Sequence, residues 1–131
     1  VLGELGFRLM LRRHTNIETA DIAASGWGGD RYTYFLSEGG AQLLVIQSVW
    51  DSPSDASELF EAYIDFVDAK SKGTWNIHHK TGTFQSVEHV KWWKAPDGHN
   101  VYLGTSRDSV VIMIAPDQNI IEIVVKELSL Q

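Results

Sequence analysis

Apolar positions change period along the chain, and each change marks an element. Leu2, Leu5, Phe7, Leu9 and Met10 recur at helical spacing up to Arg12-Arg13-His14, where basic residues suit a helix C-terminus. Thr15-Asn16-Ile17-Glu18 reads as a capping box, with the Thr15 hydroxyl accepting from the Glu18 backbone and Glu18 reaching back. A short second helix follows on Ile17, Ala20, Ala23 and Ala24, stopped at Gly26 or Gly28 in a left-handed conformation. The period then becomes two. Tyr32, Tyr34 and Leu36 alternate with Thr33 and Phe35, Glu38-Gly39-Gly40 turns, and Leu43 to Trp50 is apolar on both faces. This predicts a hairpin whose second strand is central.

Ser52-Pro53-Ser54-Asp55 is a helix start, with Ser52 as cap, Pro53 at the first helical position and Asp55 as the acid three residues on. Ala56, Leu59, Phe60, Tyr63, Ile64 and Val67 form its inward stripe, and Glu58, Glu61, Asp65 and Asp68 its solvated face. Lys70-Ser71-Lys72-Gly73 ends it. Residues 74–83 keep no period and are expected to form a loop or an irregular edge. Phe84 to Trp93 reads as a strand, Ala95-Pro96-Asp97-Gly98 as its turn, Val101 to Thr105 as the next strand, and Ser109 to Ile114 as a strand buried on both faces. Asp117 opens a last helix with Ile120, Ile121, Val124, Val125 and Leu128 inward. The order α-α-β-β-α-β-β-β-α predicts an α+β domain over residues 1–131, an antiparallel sheet of about five strands with its helices on one face. Both a PsbP/Mog1-like and a ferredoxin-like arrangement fit that order.

Composition narrows the chemistry. The formal charge of −6, from 17 acidic against 11 basic residues, argues against a nucleic-acid backbone or an anionic membrane surface as partner. Absence of cysteine removes disulfides, thiolate nucleophiles and cysteine-ligated metal sites. No P-loop, no G-x-S-x-G elbow and no H-E-x-x-H helix is present, and nothing calls for a cofactor. Gly26-Trp27-Gly28-Gly29 lies after a helix and before a strand, the reverse of the order a phosphate cradle needs.

Of the five histidines, His14, His78, His79, His89 and His99, four lie with Glu88 in the second half. Adjacent His78 and His79 in a strand would diverge, as would Glu88 and His89, so the reading is surface histidines. A metal-dependent hydrolase around His78, His79 and His99 is the chemical alternative. The tryptophans say more. Trp92-Trp93 points one indole to each side of its strand, so with helices on one face only, one of them, with Tyr32 or Tyr34, would form an aromatic patch, either covered by a further segment of the full protein or open to a partner or a small apolar ligand.

Gly26-Trp27-Gly28-Gly29-Asp30-Arg31-Tyr32 resembles the G-W-G-G-D-R-Y signature of an uncharacterised prokaryotic family. Leu2-Gly3-Glu4-Leu5-Gly6, Val49-Trp50-Asp51-Ser52 and Asp55-Ala56 are similar to that family too. Its members resemble secreted proteins and lipoproteins in which this module closes the chain, downstream of a zinc-peptidase-type helical domain. The resemblance implies an extracytoplasmic, C-terminal accessory domain whose partner is the upstream domain of its own protein, and it carries over no catalytic residue. Physically, Gly26, Gly28 and Gly29 would permit positive φ at a helix-to-strand corner, Asp30 would bond neighbouring backbone amides and pair with Arg31 or another cation, and Trp27 would plug the core. The candidate binding residues are therefore Trp27, Gly28, Gly29, Asp30, Arg31, Tyr32, Trp92 and Trp93.

Overall fold

The computed structural model describes residues 2–36, 38–77 and 89–129. Its elements run α1 (Gly3–Arg12), α2 (Ile17–Ser25), β1 (Trp27–Leu36), β2 (Gln42–Trp50), α3 (Pro53–Ser71), β3 (Asn76–Ile77), β4 (His89–Lys94), β5 (Asn100–Ser106), β6 (Ser109–Ala115) and α4 (Gln118–Ser129). One antiparallel sheet has the order β1-β2-β6-β5-β4-β3. The added strand, β3, comes from the stretch without period and pairs Asn76 and Ile77 with Lys94 and Trp93. Residues 84–88 of the longer strand read from sequence lie outside the described residues, as do His78, His79 and Glu88.

Local chemistry sets most element ends. Ser52 caps α3 by accepting the Asp55 N–H at 3.1 Å, and its hydroxyl donates to the Asp55 carboxylate at 2.7 Å. Asp117 accepts the Ile120 N–H at 3.0 Å at the head of α4. The cap of α2 falls one residue later than the sequence suggests. Asn16 accepts the Thr19 N–H at 2.7 Å, while the Thr15 hydroxyl donates back to the Leu11 carbonyl at 2.6 Å. Both residues are capping types, and Thr15 is taken up by the last turn of α1.

The helices occupy both faces of the sheet, which corrects the one-sided layer read from sequence. On one face α1, α2 and α3 cover Ile46, Trp50, Trp93, Val101, Leu103, Val110 and Ile112. On the other, Ile121 and Val125 of α4 cover Val45, Trp92, Tyr102, Met113 and Ala115. The cause is in the central strands. Neighbouring residues such as Val45 and Ile46, or Tyr102 and Leu103, project to opposite sides and are all apolar, so each side needs cover. In α1 the buried residues are Phe7 and Leu11, and Leu5 and Leu9 face outward.

Candidate functional site

The signature folds into a corner where α2 gives way to β1, and its centre is Asp30. One carboxylate oxygen accepts the Leu2 N–H at 2.6 Å; the other accepts the Gly3 N–H at 2.8 Å and the Trp27 indole N–H at 2.9 Å. Leu2 stands at the head of α1 with no side-chain acceptor of its own. A helix start leaves backbone N–H groups without partners, and here a strand residue from across the fold supplies the acceptor. Leu2 is right-handed helical and Gly3 follows at φ +76°. Such a turn of sign points successive N–H groups into one concavity that holds an anion, and only glycine takes that φ cheaply.

Burial pushes the Asp30 carboxyl up, but the hydrogen bonds from Leu2, Gly3 and Trp27 outweigh it, and its pKa lies below the ordinary carboxylate range. The expected pairing with Arg31 does not form. Asp30 and Arg31 are neighbours on a strand and so project to opposite faces. The donors are neutral N–H groups instead.

Gly26 and Gly28 act by close approach, and none of the three signature glycines takes a positive φ, which corrects a second expectation. Among the described residues positive φ belongs to Gly3, Gly40, Gly73 and Gly98, and not to Gly26, Gly28 or Gly29. A Cβ on Gly26 would lie 2.3 Å from the Asp55 carboxyl carbon, and one on Gly28 would lie 3.0 Å from the Val49 carbonyl oxygen. Gly26 thus lets the end of α2 rest on the cap of α3, and its carbonyl accepts the Asp51 N–H at 2.8 Å. Gly29 has open space beside it. Trp27 is half-buried and packs against the helix-side core, as the plug reading requires.

The exposed aromatic patch built from Trp92 or Trp93 does not form. Both indoles are 1% exposed, one on each face of the sheet, because α4 covers the side expected to be open. Trp92 donates its indole N–H to Asn100 Oδ1 at 2.8 Å. Trp93 Nε1 is buried and, among the described residues, has no hydrogen-bond partner. Tyr32 and Tyr34 are exposed, at 51% and 53%, on the edge strand β1 and remote in strand order from β4.

The described histidines are dispersed. His14 rests edge-on against Phe66, His89 lies tilted against Phe60, and His99 meets Trp75 edge-on while its ring bonds Asp97. The backbone N–H and ring of His99 hold the Asp97 carboxyl below its usual range. Among the described residues no three His, Asp or Glu side chains gather as a metal site would require.

Two open grooves in the helical layer were not singled out from sequence. One, of about 410 Å³, runs between α2 and α3 and is lined by Ile22, Ala23 and Ala62 with Glu58, Glu61 and Asp65 along its rim. The other, of about 400 Å³, lies between the C-terminal ends of α1 and α3. Leu9, Met10 and Phe66 line it, with Arg13, His14 and Lys70 around them. The one sequence signal for the first is Ile22, an apolar position of α2 outside its small inward stripe. The second needs residues from Leu9 to Lys70, a separation no local pattern spans.

Fold and corner together define an α/β/α sandwich domain with a structural, carboxylate-centred helix cap. The chain matches the family described as Domain of unknown function (DUF8575) over residues 1–124, and it belongs to that family. No curated protein and no solved structure matches it.

Proposed function

We propose that this chain is a non-catalytic interaction domain of a larger extracytoplasmic protein, docking on the upstream part of that protein through its helical layer. One observation carries the reading. Leu5, Leu9, Ile17 and Ile22 are each more than half exposed on α1 and α2, and of these Ile22 lines the first groove and Leu9 the second. Apolar exposure of this kind marks interaction surfaces. The groove between α2 and α3 selects the partner's chemistry. Its floor is small, its rim carries Glu58, Glu61 and Asp65, and these carboxylates make no ion pair with a described residue. A helix with an apolar ridge flanked by lysine or arginine fits such a rim. The signature's likeness to modules that follow a zinc-peptidase-type domain supports placing that helix upstream.

The test is calorimetric titration of the chain with the upstream region of its full-length protein. Glu58→Lys combined with Glu61→Lys is expected to weaken binding at least tenfold, about 1.4 kcal/mol, with folding intact because both positions are exposed. Unchanged affinity would remove this surface from the proposal. An upstream coding sequence lacking an export signal would remove the extracytoplasmic setting.

The groove between α1 and α3 favours a second reading, a site for an anionic amphiphile. Its volume is within the range of small-molecule sites, and Arg13, His14 and Lys70 surround apolar Leu9, Met10 and Phe66. Binding of a fluorescent fatty acid, lost on Arg13→Glu with Lys70→Glu, is the expected result. Equal binding by that variant would dismiss it.

A further inference from the structure

We propose that the free edge of β1 is a self-association surface, on which two copies of the chain pair their β1 strands antiparallel about a two-fold axis at Thr33. This surface lies apart from the helical grooves, so its fate and theirs are independent.

The backbone supplies the first half of the case. β1 ends the strand order, and its partner β2 occupies one side of it from Trp27 to Leu36. Among the described residues no strand pairs with its other side, whose N–H and C=O groups form a template for another strand. Proteins blunt such edges with proline, lysine, bulges or shortness. The opposite edge, β3, is two residues long. β1 is ten residues long, and its register shift is confined to the Trp27/Gly29 end. From Asp30 to Leu36 it has neither proline nor lysine. Tyr32, Tyr34, Phe35 and Leu36 are 51%, 53%, 55% and 63% exposed, so both faces of the edge carry large apolar groups.

The sequence supplies the second half, the choice of a second copy as occupant. An antiparallel pair sets residues of the same face opposite each other. With the axis at Thr33, Tyr32 meets Tyr34 of the second copy, Thr33 meets Thr33, and Arg31 meets Phe35, as the alternation along β1 dictates. Aromatic and threonine pairs of this kind stabilise antiparallel strands, and a guanidinium over a phenyl ring adds a cation–π contact. The charges of Asp30 and Arg31 fall opposite Leu36 and Phe35, so no like charges oppose. The two sheets become one, and each edge closes the other.

Sedimentation equilibrium of the chain across a concentration series tests this. The wild type is expected to dimerise. Tyr32→Lys with Tyr34→Lys sets lysine against lysine at both flanking pairs, and at least tenfold weaker association is expected. Tyr32→Lys with Tyr34→Glu sets lysine against glutamate and should restore the dimer. Amide exchange supplies a readout needing no variant: outward N–H groups between Tyr32 and Leu36 should gain protection as wild-type concentration rises. A wild type that stays monomeric without such protection, or a Lys/Lys variant that associates equally well, would overturn the proposal. A Lys/Glu variant no tighter than Lys/Lys would overturn the axis at Thr33.

Discussion

Replacing Asp30 with alanine is expected to lower stability by about 3 kcal/mol, mostly by releasing the start of α1. The substitution strands the Leu2 and Gly3 N–H groups and the Trp27 indole at once. Loss of a helix cap costs about 1–2 kcal/mol, and hydrogen bonds to a charged group contribute about 1.5–3 kcal/mol each, less where water replaces them. Asp30→Asn keeps an acceptor oxygen but not the charge, and should cost about half as much. The effect should depend on pH with a definite sign. Burial raises the Asp30 pKa, the three hydrogen bonds together lower it by more, and the net is a depressed value. Stability linked to a depressed carboxyl is complete above the unfolded-state pKa of about 3.9. It is lost as pH falls through the folded-state value. Urea unfolding at pH 7, 5 and 3 should therefore show the gap between wild type and Asp30→Ala constant at the first two and smaller at the third. A gap that widens in acid would mean that Asp30 is not the charged acceptor of α1. Asp97, also depressed but fully exposed, is common to both proteins and cancels in the comparison.

What the sequence made legible follows the reach of each interaction. The Ser52–Asp55 cap and the Asp117 start of α4 depend on residues three apart, and both stand as read. The solvated face of α3 stands for the same reason, with Glu58, Glu61, Asp65 and Asp68 all exposed. Asp30 and Leu2 are 28 positions apart. A G-G-D-R run offers Arg31 as the nearer partner, so the cap of α1 could not be found by spacing. Gly26 was visible as special, but its reason, the Asp55 side chain beside it, is a contact between two helices. In α1 the choice between a stripe through Leu5 and Leu9 and one through Phe7 and Leu11 rests on what lies beneath. Phe7 wins because Trp50 meets it edge-on, with ring centres 5.4 Å apart.

The placement of α4 is the sharpest difference between pattern and structure, and Ile121→Asp tests it. Ile121 is fully buried on the face that holds Trp92 and Tyr102. A carboxylate there would have no cationic partner in that cluster, and an unpaired buried charge belongs with the costliest single substitutions, about 4 kcal/mol or more. The expected consequence is that α4 leaves the sheet while α1, α2 and α3 still cover the other face, since the two clusters share no buried residue. Two signals should report it. Trp92 fluorescence should shift to the red. The Tyr102 hydroxyl, which burial pushes up to about 12, should titrate nearer its ordinary 10.0. Ile123→Asp is the control, since Ile123 is 62% exposed on the same helix, and its cost should stay within about 0.5 kcal/mol. If Ile121→Asp destabilised the chain while Trp92 and Tyr102 kept their buried signatures, α4 would have to lie elsewhere. The apolar second face of β2, β5 and β6 would then need a different cover, because strands carrying Val45, Tyr102 and Met113 on that side do not remain open to water.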